Sequence, residues 1–209
     1  MAGTGLVLLG YIVAHMLGNL KIFTGRTHFD EYAEGLRTIG GALLGESWFL
    51  WSMRPILLAA VLAHIWAATA LTIRSSNARP VGYAGPVRRV QATYASRTMR
   101  WGGVIIALFI VYHILHMTTG TLHRDFEHGA VYDNSVAAFE QWWVSAVYII
   151  AVLALGMHLY HGLWSMFQTL GRNTGLLQSA LRRVAQVGAV VITVGFISVP
   201  VGVMTGIVH

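Results

Sequence analysis

The chain contains no cysteine, and this absence excludes several kinds of site. Without thiolates it cannot bind an iron–sulfur cluster or a cysteine-ligated zinc ion, and it cannot form a disulfide. Covalent attachment of haem through a Cys-x-x-Cys-His motif is excluded as well. Any cofactor must therefore be held by histidine or carried on another subunit.

Charged residues are also scarce. They make up 11% of the 209 residues, while 56% are hydrophobic and the mean hydropathy is +0.61. Soluble domains carry about a quarter charged residues. A helix that crosses a bilayer needs about 20 apolar residues, and five stretches are long enough: 3–23, 48–73, 101–119, 142–170 and 184–208. We predict an all-α integral membrane protein with a single domain over 1–209 and a core bundle of its first four helices.

The few charges are distributed unevenly along the chain. All eight acidic residues lie in two loops, one between segments one and two and one between segments three and four. The other two loops contain nine of the fourteen basic residues and no acid. We call the two ends of the bundle the acidic face and the basic face. The positive-inside rule predicts that the basic face and the N-terminus are cytoplasmic.

Four histidines lie inside four consecutive apolar segments, at His15, His64, His113 and His158. An ionisable side chain in the membrane is costly, so it indicates function. Successive segments run in opposite directions. His15 and His113 are therefore expected at one depth toward the acidic face, with His64 and His158 at another toward the basic face. The topology predicts two pairs of imidazoles stacked across the membrane.

A pair of imidazoles suits haem better than a bare metal ion. Zinc or copper takes three or four ligands, whereas haem brings four equatorial nitrogens and needs two axial ligands. We therefore expect two b haems. Small residues one turn from these histidines are expected to leave room for the porphyrins: Gly18, Ala60, Ala67, Ala68, Ala154 and Gly162. Arg97 and Arg100, at the basic end of segment three, are candidates to bind the propionates.

Two assignments stay open on physical grounds alone. His116 and His161 lie one turn beyond His113 and His158, on the same faces. Small neighbours favour His158 over His161, but they do not favour His113 over His116. Membrane histidines also serve simply as hydrogen-bond partners between helices. The remaining histidines are predicted to be solvated, in loops or at the terminus: His28, His123, His128 and His209.

The sequence resembles the five-helix, di-haem cytochrome b anchor of succinate:quinone oxidoreductase, the family of succinate dehydrogenase and fumarate reductase. The resemblance is carried by Ala14-His15-Met16-Leu17-Gly18-Asn19, by His64, by the stretch 96–103, by Tyr112-His113 and by the stretch 158–165. It implies that His113 and His158 bind haem, that His116 supports the ligand next to it, and that His161 fills a polar position.

The resemblance also implies a role. This chain would be a non-catalytic electron-transfer subunit of the respiratory chain and the tricarboxylic acid cycle, in the cell's inner or plasma membrane. It would dock an iron–sulfur subunit, itself served by a flavoprotein, and pass electrons through both haems to a quinone, with menaquinone favoured. A quinone site on the acidic face would exchange protons through an acidic residue, with Glu31, Glu34 and Glu46 as candidates.

Two other functions compete with this one. The first is a di-haem cytochrome b of a hydrogenase or formate dehydrogenase, and the second is a transporter that uses membrane histidines. Broken helices and inverted repeats are typical of transporters, and the sequence shows neither. The concentration of basic residues in loops favours membrane topology over nucleic-acid binding.

Overall fold

The computed structural model describes residues 1–78, 94–169, 171 and 175–209. Its helices, in chain order, are α1 (Ala2–Leu20), α2 (Arg26–Thr38), α3 (Gly41–Leu44), α4 (Trp48–Asn77), α5 (Tyr94–His113), α6 (Val131–Glu140), α7 (Trp142–Thr169) and α8 (Gly175–Met204). A 3₁₀ turn, Lys21–Thr24, extends α1, and a π turn, Ile114–Thr118, extends α5. The chain is therefore helical through nearly all of its described length.

Five helical segments are long and apolar enough to span a membrane: Ala2–Thr24, Trp48–Asn77, Met99–Thr118, Trp142–Thr169 and Leu177–Met204. This confirms the five predicted spans. Three of the helices extend beyond the predicted apolar stretches because polar residues continue the same backbone. Helix α4 runs on to Asn77, and α5 and α8 begin at Tyr94 and Gly175, before the hydropathy of each segment rises.

Helix α7 is the main partner of two other spans. It packs against α8 and α5, while α1 packs against both α4 and α8. Small residues allow these close approaches, as expected where lipid gives no hydrophobic drive for helix association. Gly156 of α7, for example, faces the Thr193 side chain of α8 with no room for a methyl group. The fifth span, in α8, thus packs directly against α7 and α1.

Helix α4 is the least enclosed span. None of its residues is buried within this chain, and its main neighbour is α1. His64 is the residue of α4 that reaches toward α7, where its ring lies near that of His158. The position of α4 therefore leaves His64 half-buried between the helices.

A layer of short helices covers the acidic face. Helix α2 buries Phe29, and its Arg26 forms an ion pair with Asp133 of α6. The Asp30 carboxylate accepts a hydrogen bond from the backbone N–H of Tyr132 at 3.0 Å. The sequence predicted only loops here, since these helices are too short and polar for a hydropathy signal. These contacts connect the segment between the first two spans to the segment between the third and fourth.

Candidate functional site

The structure brings the four membrane histidines together as two pairs. The ring centres of His15 and His113 lie 5.8 Å apart with their planes at 74°. Those of His64 and His158 lie 6.3 Å apart at 59°. The first pair joins α1 to α5 toward the acidic face, and the second joins α4 to α7 toward the basic face. We call them the acidic-side pair and the basic-side pair.

These separations fit a six-coordinate iron. A metal–imidazole bond is about 2 Å and the ring centre lies about 1 Å further on, so two axial imidazoles have centres about 6 Å apart. Direct hydrogen bonding between two imidazoles is not present in either pair among the described residues. Both pairs therefore match the donor set and spacing that a haem would need.

The Thr4 hydroxyl is the side-chain partner of His64. Its oxygen lies 2.9 Å from the Met1 carbonyl and 3.1 Å from His64 Nδ1. When the hydroxyl donates its one proton to the Met1 carbonyl, its oxygen accepts from His64 Nδ1. A neutral imidazole protonated at Nδ1 keeps the Nε2 lone pair available for a metal.

His113 and His116 share a single partner on α7. The Tyr148 hydroxyl lies 3.2 Å from His113 Nδ1 and 3.1 Å from His116 Nδ1. A π turn follows His113, in which the Thr119 N–H donates to the Ile114 carbonyl at 3.0 Å. Such turns are rare and often occur at functional sites. The turn widens the helix, so His116 is buried between Tyr148 and His123 instead of continuing the face of His113.

The other member of each pair lacks a hydroxyl partner. His158 Nδ1 is buried without a side-chain partner among the described residues, and the His158 ring interacts with the Met99 backbone. Its ring lies close to Gly103 of α5, where a Cβ would be 3.7 Å from His158 Cε1. His15 stacks on Tyr11 at 5.4 Å and also lies near Phe196 of α8. Each pair therefore combines one imidazole that contacts a hydroxyl with one that does not.

Two of the six small residues named from the sequence contact other parts of the protein. A Cβ at Gly18 would lie 2.8 Å from the Tyr32 hydroxyl, and Ala154 is buried. Room for a porphyrin beside the six residues stays a prediction. The glycines beside the paired rings are Gly103 and Gly5, where a Cβ would be 3.7 Å from His64 Cε1.

The remaining predicted residues belong to neither pair of rings. His161 is half-buried, and its Nε2 lies 3.3 Å from the Ser165 hydroxyl. Arg100 is exposed at the basic end of α5. Arg97 belongs to the same helix, but its side chain lies outside the described residues, so its predicted role stays untested.

One solvated-histidine prediction is wrong. His123 is 8% exposed, and its Nε2 lies 3.0 Å from the Asn134 carbonyl. The loop that holds it folds beneath α6, an element that the sequence did not predict. The other three, His28, His128 and His209, are exposed as predicted.

A cavity of about 160 Å³ adjoins the acidic-side pair. Its walls come from α1, α2 and the residue that begins α6, and they include His15, Asn19, Phe29, Tyr32 and Val131. Helix α2 turns its apolar face toward this cavity and its charged face away, with Glu31 and Glu34 largely exposed. Most of the lining is apolar, and Asn19 and Tyr32 supply the uncharged polar groups.

Comparison with known proteins assigns the family. The family model for the succinate dehydrogenase/fumarate reductase transmembrane subunit matches residues 76–198, which is more than half of the chain. The chain belongs to this family. No curated protein and no solved structure matches it.

The family assignment makes this chain a multi-pass membrane subunit that associates with the catalytic subunits of succinate dehydrogenase or fumarate reductase. The matched region contains His113, His116, His158 and His161 but neither His15 nor His64. The structure places His15 beside His113 and His64 beside His158.

Proposed function

We propose that this anchor subunit carries electrons from a partner iron–sulfur subunit to membrane quinone by means of two b haems. The observation that carries the proposal is the spacing of the two imidazole pairs, 5.8 and 6.3 Å between ring centres. When bound, each haem supplies an iron that exchanges one electron between its ferric and ferrous states. His15 and His113 would hold one, and His64 and His158 the other.

The protein's own contribution is to position the ligands and to control their basicity. A ligating imidazole that donates its second N–H to an acceptor is oriented and made a stronger electron donor. The Thr4 hydroxyl provides this acceptor for His64. Gly5 and Gly103 lie beside the basic-side rings, where a Cβ would be at ordinary contact distance, 3.7 Å.

We assign the quinone site to the cavity beside the acidic-side pair. It adjoins His15 and combines apolar walls with the polar groups of Asn19 and Tyr32, a lining typical of small-molecule sites. Lys21 lies 5.4 Å above the Tyr32 ring at the same end of α1. Glu31, Glu34 and Glu46 are exposed and do not line this cavity. They remain candidates for exchanging protons with water rather than for contact with the quinone.

The orientation follows from the charge distribution. The basic face would lie in the cytoplasm and dock the iron–sulfur subunit, which in turn binds the flavoprotein. The basic-side pair would then be nearer that partner and the acidic-side pair nearer the quinone. The family assignment favours this complex over a hydrogenase or formate dehydrogenase cytochrome and over a transporter. The membrane would be the inner or plasma membrane, and menaquinone is the favoured quinone.

The decisive experiment counts haems in the purified whole complex. Reduced-minus-oxidised spectra with pyridine-haemochrome quantification should give two b haems per copy of this chain. In His64→Ala the basic-side haem should be lost and the acidic-side haem retained, because the two pairs share no ligand. His128→Ala is the matched control, since it removes an exposed loop histidine and should leave two haems.

Two results would contradict the proposal. A wild-type complex without haem would remove its basis altogether. Equal loss of both haems in His64→Ala, with assembly of the complex intact, would show that the two pairs are not separate sites.

A further inference from the structure

Tyr148 of α7 contacts both His113 and His116, the two histidines that physical reasoning from the sequence could not distinguish as ligands. Its hydroxyl lies 3.2 Å from His113 Nδ1 and 3.1 Å from His116 Nδ1, and it is 7% exposed. Phe109 of α5 and Phe139 of α6 hold its ring edge-on, at 4.9 and 5.0 Å between ring centres. The hydroxyl is therefore fixed between the two imidazoles.

The proton count of this bridge allows two arrangements that satisfy all three groups, and they differ in which imidazole donates to Tyr148. A phenol has one proton to donate, so it can donate to one imidazole and must accept from the other. The imidazole that donates carries its proton on Nδ1 and keeps the Nε2 lone pair. The imidazole that accepts carries its proton on Nε2, where it cannot bind a metal. The bridge therefore makes His113 and His116 mutually exclusive as ligands.

The position of His15 decides between them. His113 lies 5.8 Å from His15, whereas the π turn directs His116 toward Tyr112 and His123, at 5.2 and 5.0 Å. His113 is therefore the imidazole with Nε2 free, donating from Nδ1 to the Tyr148 oxygen. Tyr148 in turn donates its proton to His116 Nδ1.

We propose that Tyr148 is the positioning residue of the acidic-side haem, selecting His113 over His116 as its ligand and holding the His113 ring in the Nδ1–H tautomer. The proposal rests on the proposed function, because it needs a haem between His15 and His113. Hydrogen bonding at Nδ1 makes the imidazole a stronger donor and so favours ferric iron. It also keeps the ring plane of His113 at 74° to that of His15.

The test compares Tyr148→Phe with Tyr112→Phe in the purified whole complex. Both changes remove one phenol oxygen from the same aromatic cluster, and the two rings lie 6.0 Å apart. The Tyr112 hydroxyl is buried without a hydrogen-bond partner among the described residues, so its removal breaks no bond to His113. The acidic-side haem is identified as the one that remains in His64→Ala.

In Tyr148→Phe we expect a higher midpoint potential for the acidic-side haem and an altered g-max in its low-spin electron paramagnetic resonance signal. The basic-side haem should not change, and Tyr112→Phe should match the wild type. A wild type without haem would remove the proposed function. Two haems in the wild type, with Tyr148→Phe indistinguishable from Tyr112→Phe, would overturn only the role of Tyr148.

A second variant decides the case in which Tyr148→Phe does not assemble. His116→Leu removes the acceptor of the Tyr148 proton while leaving His113 and Tyr148 in place. If Tyr148 selects His113, the variant keeps both haems and shifts the potential of the acidic-side haem alone. Loss of that haem in His116→Leu would identify His116 as a ligand and overturn the inference, and retention of both haems with unchanged potentials would overturn it as well.

Discussion

A histidine that binds iron through one ring nitrogen depends on what the other nitrogen contacts. In the basic-side pair that contact is the Thr4 hydroxyl, which lies one helix away from His64 in α1. Thr4 accepts from His64 when its own proton is given to the Met1 carbonyl. A residue at the first turn of one helix thus contacts the ring of a proposed ligand in the middle of another.

Replacing Thr4 by valine should affect only the basic-side haem. Valine has the shape of threonine but no acceptor, so His64 would lose the partner of its Nδ1–H. We expect a higher midpoint potential for that haem and about 10-fold weaker haem binding at this pair, measured by redox titration and haem retention. Thr4→Ser, which keeps the hydroxyl, should restore both values. A potential that is unchanged in Thr4→Val would show that the hydrogen bond has no effect on the site.

At the scale of elements, a glycine lets α7 and α8 pack closely. Gly156 of α7 faces Thr193 of α8, whose hydroxyl already donates to the Ala189 carbonyl at 2.7 Å. A methyl group at position 156 would displace that side chain or separate the helices. His158, one of the two histidines of the basic-side pair, lies two residues further along α7.

Gly156→Ala should therefore destabilise the helix pair, and Gly188→Ala should not. Overpacking costs about 1–3 kcal/mol, whereas Gly188 has open space at its Cβ position and alanine gains about 0.5–1 kcal/mol in a helix. Both variants make the same chemical change in long helices, so the difference reports packing. Thermal unfolding in detergent measures it, and equal stability of the two variants would contradict the close contact.

The spans were predictable from sequence because each is set by its own hydropathy. The shorter elements were not, because contacts with other parts of the chain decide them. The helix that begins at Arg26 is held by Asp133 and Tyr132, more than 100 residues later. The π turn after His113 has no signal in hydropathy, and the burial of His123 depends on α6.

The ligand candidates were predictable from the sequence, but the side chains that hydrogen-bond to them were not. Helix direction alone placed His15 with His113 and His64 with His158, because depth in a bilayer follows from position along a span. The hydroxyl partners depend on how each helix is rotated, which segment boundaries do not give. Tyr148 could have been found from its position along its span. It lies about as far from the start of α7 as His113 lies from the end of its own span, so both are expected at a similar depth.

At the scale of the whole molecule, the uneven charge distribution predicts an orientation that cysteine labelling can test. The chain has no native cysteine, so single introduced cysteines can be followed on this subunit alone. Thr27 is exposed in α2 on the acidic face, and Ser76 is exposed at the basic end of α4. In intact cells a membrane-impermeant maleimide should label Thr27→Cys, and it should label Ser76→Cys only after the membrane is opened. The reverse pattern would place the basic face outside.

Helix α1 takes part in both sites. Thr4 and His15 are eleven residues apart in this helix, which is about three turns and about 16 Å, so both side chains emerge from one face of it. Replacing a single histidine changes one pair. Rotating α1 about its axis would move Thr4 away from His64 and His15 away from His113 at the same time. The two imidazole pairs therefore have no histidine in common, but the orientation of one helix governs both.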